Sequence, residues 1–454
     1  MSFDDRLAEL LTGLDGSVLR PGMDGYDDEV TGFQTGLRHQ SAIVVRARGA
    51  TDVCAAVRAA AALDLPVAVQ ATGHGLTVPD EGGVLVSTRR MDAVEVDPES
   101  GLARIGPGAR WDQVVAAAEP HGLVPPSGSA GHVGVAGYTL AGGIGLLARE
   151  FGYAADHVRA LDVVTADGEL RRVDAEDVDL FWAIRGGRDN FGVVTRIEIA
   201  LAPVGSIYGG GIYFDSVHAE ALLSFFHSWT TRVPETITAS LGMIGYPDLP
   251  AFPEPLRGRH VVHVRFATTD LAGGAELVRP WLDVAPPIVE HLGELPYRKA
   301  GSVYREPNFP HAYDGNSVLL EDLDPQDLLA VRELVGPAAE VPCIVDLRHL
   351  GGALARQPAV PNAVSFRSAQ YILRVLSPLD GADATRVREL HEHLFERVAP
   401  RTLGRSLNFI YGRRNPTDLR SELYEPDILH RLVALKKVHD PANIFRRNQN
   451  LELA

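Results

Sequence analysis

The sequence predicts an α+β fold in two parts, and three observations predict it. A β-α-β pattern opens the chain at residues 42–70. Two glycine-rich stretches, 126–156 and 185–192, then bracket a hairpin. After Pro203 the composition shifts to longer strands of alternating polarity interleaved with amphipathic helices. At 454 residues the chain exceeds what one hydrophobic core usually supports. We therefore expect one domain over residues 1–203, a second over 204–403 and a C-terminal segment, 404–454, that returns to the first.

Taken in order, residues 5–14 have the spacing of a short amphipathic helix and 22–36 read as loop. Residues 42–45 are a β-branched run, 52–62 an alanine-rich helix for which Thr51 is a suitable N-cap, and 66–70 an extended segment. That strand ends in Ala71-Thr72-Gly73-His74-Gly75, which holds a histidine between two glycines. A strand is expected at 82–87, and residues 103–108 lead into a helix at 111–119. The stretch from Pro126 to Asp156 carries Gly128, Gly131, Gly134, Gly137, Gly142, Gly143, Gly145 and Gly152 with almost no charge before Arg149. Glycine permits positive φ and lets main-chain N–H groups converge on an anion, so the run reads as a phosphate cradle. A flexible linker would not carry Val133, Val135, Tyr138, Leu140, Ile144 and Leu146 between its glycines.

Residues 158–165 and 169–173 form a hairpin around Asp167-Gly168. A helix at 179–184 leads to a second cluster, Gly186 to Gly192, and a strand at 193–199. Beyond Pro203, strands are expected at 208–214, 237–244, 260–266, 343–347, 365–373 and 407–411. Helices are expected at 217–229, 271–282, 325–334, 384–398 and 427–438. The alternation in these strands suits a sheet packed on helices on one face and lining a cavity on the other. Its polar members are His260, His263, Arg265, Arg348, His349, Arg367, Gln370 and Tyr371.

Bulk properties narrow the function. Hydrophobic residues at 45% and charged residues at 22% are ordinary for a globular enzyme. A formal net charge of -16 excludes the positive footprint that nucleic acid or an anionic membrane requires. Cys54 and Cys343, the two cysteines, have neither zinc nor redox spacing, and no metal site is expected. Neither a signal peptide nor an apolar run of spanning length is visible, so a cytoplasmic location is expected. Nothing in the sequence sets the oligomeric state.

Five ordered motifs carry a resemblance. They are Thr72-Gly73-His74; Val133-Gly134-Val135-Ala136-Gly137 with Gly142-Gly143-Ile144-Gly145; Asp179 to Gly187; Asn190-Phe191-Gly192-Val193-Val194-Thr195; and Asp440 to Asn450. Together they resemble the vanillyl-alcohol-oxidase (PCMH-type) FAD-binding fold, and within it the berberine-bridge-enzyme-like FAD-dependent oxidoreductases. The resemblance implies a two-part FAD-binding domain, an antiparallel-sheet substrate domain, and FAD bonded covalently to His74. It places Thr72, Gly73, Gly75, Gly128, Ser129, Gly134, Val135, Gly137, Tyr138, Gly142, Gly143, Gly145, Asp156, Gly187, Asn190, Gly192, Val193, Asn448 and Asn450 around the cofactor. Family members with a second flavin bond use a cysteine where this chain has Ala130, so one bond is expected. The tyrosine that some relatives use as base is replaced by Ser406. Tyr371, Tyr411 and His349, with His263, remain as candidates, and Arg348 or Arg367 as cations to lower a tyrosine pKa.

The implied activity is hydride transfer from an alcohol, sugar or secondary-metabolite substrate to FAD, with O2 receiving the electrons. A dehydrogenase, oxidative cyclase or oxygenase is the alternative. A nicotinamide-binding reading of Ala141 to Gly145 fails because no opening strand precedes it and no Tyr-x-x-x-Lys pair occurs. A non-catalytic flavin carrier is the reading from outside enzymes.

Overall fold

The computed structural model describes residues 6, 9–413 and 419–451. Three sheets organise them. The first contains β1 (Ser17–Leu19), β2 (Ile43–Arg46), β3 (Val67–Gln70) and β4 (Val84–Ser87) in the order β1-β2-β4-β3, with β4 parallel to both β2 and β3. The helix Ala50–Ala62 crosses over between β2 and β3, burying Val53, Ala56 and Val57. The second sheet is antiparallel, β5-β6-β9-β7-β8, from β5 (Val94–Asp97), β6 (Leu102–Ile105), the hairpin β7 (Val158–Val164) and β8 (Leu170–Asp174), and β9 (Val193–Ala200).

The third sheet has eight strands: β10 (Ser206–Asp215), β11 (Ile237–Gly245), β12 (His260–Thr268), β13 (Pro287–Pro296), β14 (Tyr313–Leu320), β15 (Ile344–His349), β16 (Tyr371–Pro378) and β17 (Thr402–Gly404). Their order is β13-β10-β12-β11-β15-β16-β14-β17, antiparallel throughout. One face packs on the helices Ala219–Thr230, Pro325–Val335 and Ala384–Val398 around Leu222, Phe226, Trp281, Leu347 and Leu373. Because side chains alternate along a strand, the intervening polar residues are delivered to the other face.

The C-terminal segment docks on the first two sheets. Lys436, fully buried in the helix Pro426–His439, donates to Asp440 Oδ2 at 2.6 Å and to the carbonyls of Asn190 and Phe445. Asp440 in turn accepts from the N–H groups of Ile444 and Phe445, and the Ile444 carbonyl accepts from Val67 on β3. This is the physical content of the Asp-Pro-x-Asn-x-Phe motif: one carboxylate folds the tail back onto the sheet.

Several local expectations are corrected. Residues 26–30 form a short helix rather than loop, anchored by Tyr26, whose hydroxyl donates to Ser41 O at 2.6 Å, and led by Asp27, Asp28 and Glu29 where the dipole favours acids. Thr51 lies inside its helix, which starts two residues earlier, after Gly49. Residues 365–370 are not strand: Phe366 has φ 54° and Arg367 turns away to Asp156, so β16 begins at Tyr371. The helix expected over 271–282 is a short one, Gly274–Val278, continued by a 3-10 segment through Pro280. Residues 407–409 make a 3-10 turn, and Tyr411 alone bridges to Gly315. β1, β5, β13, β14 and β17 were not expected, β14 because Asp314-Gly315-Asn316-Ser317 has turn composition. Of the helix expected at 5–14, residues 5, 7 and 8 lie outside the described residues; residues 6, 9 and 10 are helical and 11–13 form a turn.

Candidate active site

A cavity of about 1020 Å³ lies between the glycine loops and the polar face of the third sheet. On the loop side it is lined by Thr72, Gly73, His74, Gly75, Gly128, Ser129, Ala130, Gly134, Gly137 and Tyr138, then by Gly192, Val193 and Asn448. Gly73 has φ 71°, and a Cβ there would come within 2.5 Å of Gly32 Cα, so only glycine permits this approach of two backbones. The neighbouring segment bonds across the gap, Phe33 N–H to Thr72 O at 2.8 Å, and places the Phe33 ring parallel to His74 with centroids 4.0 Å apart. His132 also stacks with Phe33, at 4.6 Å, and lies 5.0 Å from the His74 ring. Phe33 and His132 were not expected from the sequence.

His74 Nδ1 lies 2.9 Å from Thr72 Oγ1, which also accepts the Gly134 N–H at 3.3 Å. Its other nitrogen, Nε2, is buried without a protein partner. Burial, with His132 and Arg110 nearby, lowers the His74 pKa to about 3, so the imidazole is neutral.

The remaining expected cofactor residues support the cavity from outside its lining. Asn408 clamps the long run, accepting the Gly143 N–H at 2.8 Å and donating to Tyr138 O at 2.9 Å. Gly143 must be glycine, since a Cβ at its φ of 77° would meet Tyr138 at 2.6 Å and Ala154 at 2.7 Å. Val135 is in the core, Gly142 and Gly145 shape the run, and Asp156 pairs with Arg367 at 2.6 Å. Gly187 packs under Phe191 and Leu432. Asn190 joins the second glycine cluster to the tail, donating to Gly187 O and Gln449 O, while Gln449 Nε2 donates to Thr77 at 2.6 Å. Asn450 is not among the lining residues.

On the sheet side, Ser240 of β11, Arg265 of β12, Asp346 and Arg348 of β15 and Arg374 of β16 share the cavity face. Asp346 stands opposite both Gly242 and Arg374 in register. It receives Arg265 on Oδ1 at 2.5 Å and Arg348 on Oδ2 at 2.8 Å, with Arg374 3.5 Å away. These cations hold its carboxyl well below the usual range despite burial. Glu306, half-buried, lies 3.5 Å from Arg374, and Ser129 of the glycine run donates to its Oε2 at 2.5 Å. Arg374 and Arg348 hold Glu306 ionised against burial. Asp346, Glu306, Arg374 and Tyr304 were not among the expected residues; the alternation that exposed Arg348 on β15 also exposes Asp346, two residues before it.

The base candidates separate. Tyr411 lines the cavity beside Arg374. Tyr371 and His349 do not: they sit opposite each other in register, on the face away from Arg348. The Tyr371 hydroxyl meets Thr230 at 2.7 Å in the helix-side core, and His349 Nε2 accepts from Arg149 at 3.0 Å. His263 is buried, stacked on Tyr213 at 3.8 Å, and accepts from Arg265 Nε. Arg367 is committed to Asp156, so the cations near Tyr411 are Arg374 and Arg348. Burial nevertheless outweighs them and the Tyr411 pKa is raised, contrary to the expected lowering.

The lining fits FAD. Buried polar atoms of lining residues that lack protein hydrogen-bond partners include His74 Nε2, Tyr138 Oη, Trp111 Nε1 and Asn448 Oδ1, and a polar cofactor would satisfy them. At Gly75 and Gly137 a Cβ would meet nothing within 4 Å, so backbone is open to a ligand there. Residues 41–174 match the family described as FAD binding domain. The chain is an FAD-linked oxidoreductase, and its fold is the PCMH-type FAD-binding fold of its structural neighbours. It is 25% identical to (R)-6-hydroxynicotine oxidase of Paenarthrobacter nicotinovorans, over 97% of each chain. The fold is shared with xylooligosaccharide oxidase of Myceliophthora thermophila (TM-score 0.86, 19% identity, 99% of each chain). It is shared also with Physcomitrella patens BBE-like 1 (TM-score 0.83, 20% identity, 100% of each chain). Among the described residues no helix is long and apolar enough to cross a membrane.

Proposed function

We propose that this FAD-linked oxidoreductase is an oxidase of an alcohol, sugar or secondary-metabolite substrate, with its flavin tethered through His74 alone and O2 as electron acceptor. The observation that carries this reading is the neutral, Thr72-oriented His74, a cavity-lining residue whose buried Nε2 has no protein partner. A neutral imidazole nitrogen is the nucleophile that such a tether needs. Ala130, on the same wall, has no thiol for a second bond. Bound FAD would supply the hydride acceptor and pass two electrons to O2.

The chain's own residues do the rest. Thr72, Gly75, Gly137, Tyr138 and Asn448 hold the cofactor against one wall. Tyr411, on the opposite wall, takes the proton released from the substrate when it is in its phenolate form, which Arg374 and Arg348 beside it favour and burial opposes. Tyr304 and Phe409 form an apolar frame. Anaerobic reduction followed by stopped-flow reoxidation tests the reading. Reoxidation by air at least as fast as turnover, with stoichiometric peroxide, is expected. Slower reoxidation would mean a dehydrogenase or oxidative cyclase, and oxygen retained in product an oxygenase.

A further inference from the structure

We infer that the substrate carries an anionic group, a carboxylate or an acidic phenol, and that Arg348 is the residue that receives it. The inference rests on the oxidase reading for the place of the substrate. Its foundation is the charge inventory of the sheet-side wall. Three guanidiniums, Arg265, Arg348 and Arg374, face two carboxylates, Asp346 and Glu306, which leaves one positive charge in a cluster where Arg265, Arg348 and Asp346 are buried and Arg374 and Glu306 half-buried.

Both carboxylates are already engaged. Asp346 is shared by the three arginines, and Glu306 is divided between Arg374 and the Ser129 hydroxyl. Arg265 gives Nε to His263 and Nη1 to Ser240 and Asp346, and its Nη2 packs against Gly242. Arg348 spends only Nε, on Asp346; its two terminal nitrogens have no protein partner among the described residues, although the side chain lines the cavity at 8% exposure. A guanidinium so far removed from water is costly unless paired.

The sequence makes room for this arrangement. A Cβ at Gly242 would stand 2.4 Å from Arg265 Nη2, and one at Gly211 would stand 2.3 Å from His263 Nε2, so both neighbouring strands leave out side chains where the cluster lies. The frame around Arg348 is aromatic, with its Cζ 4.6 Å from the Tyr304 ring centroid and 5.1 Å from that of Phe409. An anion on a planar or apolar body matches this wall: the fork of Arg348 takes the charge and the rings take the body. In a chain of net charge -16, a positive cavity also draws such a substrate selectively inward.

The test uses the holoenzyme and two non-reacting probes of one shape, benzoate and benzamide, titrated by calorimetry and by the visible absorbance of the flavin. Benzoate is expected to bind about tenfold or more tightly than benzamide and to weaken with added salt. Arg348→Gln is expected to remove that preference while benzamide binding holds. Equal affinity for the two probes in the unaltered protein, or binding of neither, would overturn the inference without recourse to a variant. So would an Arg348→Gln protein with its visible spectrum intact that still prefers benzoate. Neither titration needs turnover. Selective benzoate binding by a protein that releases no peroxide would therefore sink the oxidase reading and leave the anion site standing.

Discussion

His74 and Thr72 are locked together: the imidazole Nδ1 lies 2.9 Å from the threonine hydroxyl, so Nε2 is the nitrogen that remains without a protein partner. The same hydroxyl accepts the Gly134 N–H, which ties the histidine loop to the long glycine run. Thr72→Val keeps the shape and removes both bonds. It is expected to leave a fraction of the flavin unattached, read as colour released on denaturation, while His74 is intact.

Tyr411→Phe and Tyr371→Phe separate the cavity from the core. Loss of the Tyr411 hydroxyl is expected to slow anaerobic flavin reduction by about 10² to 10⁴, the range of general-base catalysis, with the flavin spectrum unchanged. Loss of the Tyr371 hydroxyl breaks its bond to Thr230 and is expected to cost about 1 kcal/mol in denaturant unfolding with little effect on reduction. The opposite pattern would return Tyr371 to the base position.

This separation shows how far the sequence could be read. The glycine run, the framed histidine and the tail were legible because each is a local string whose chemistry is written in adjacent residues. Alternation also foretold a sheet with one polar face. It did not say which face Tyr371 takes: with β16 starting at 371 rather than 365, the tyrosine falls in register with His349 on the helix side and Arg374 on the cavity side. Asp346 and Glu306 were missed because such a carboxylate is recognisable only once its arginines, drawn from other strands, are assembled around it. Phe33 was missed because its partner, His74, lies across a backbone contact that no spacing announces.

The tail should act as a stability element. Lys436→Met leaves Asp440 buried without its cation, and breaking such a pair costs about 3–5 kcal/mol. Denaturant unfolding should show a loss of this size. Because the Asn190 loop loses its anchor as well, FAD incorporation should fall in step.

Acid should destabilise the fold through its buried neutral histidines. His349 accepts from Arg149, and burial together with that guanidinium lowers its pKa to about 3. The unfolded chain therefore binds a proton below about pH 6.5 that the folded chain refuses. The stabilisation is complete above pH 6.5 and is lost as pH falls from there toward 3, by about 1.4 kcal/mol per pH unit. His349→Gln should flatten that part of the stability-pH curve measured by urea unfolding.

The central claim, a flavin tethered once and through His74, is tested most directly by acid precipitation of the purified protein. The account predicts that the yellow colour stays with the pellet, moves to the supernatant in His74→Ala, and stays in the pellet when both cysteines, Cys54 and Cys343, are replaced. Colour released from the unaltered protein, or retained in the His74→Ala pellet, would contradict it.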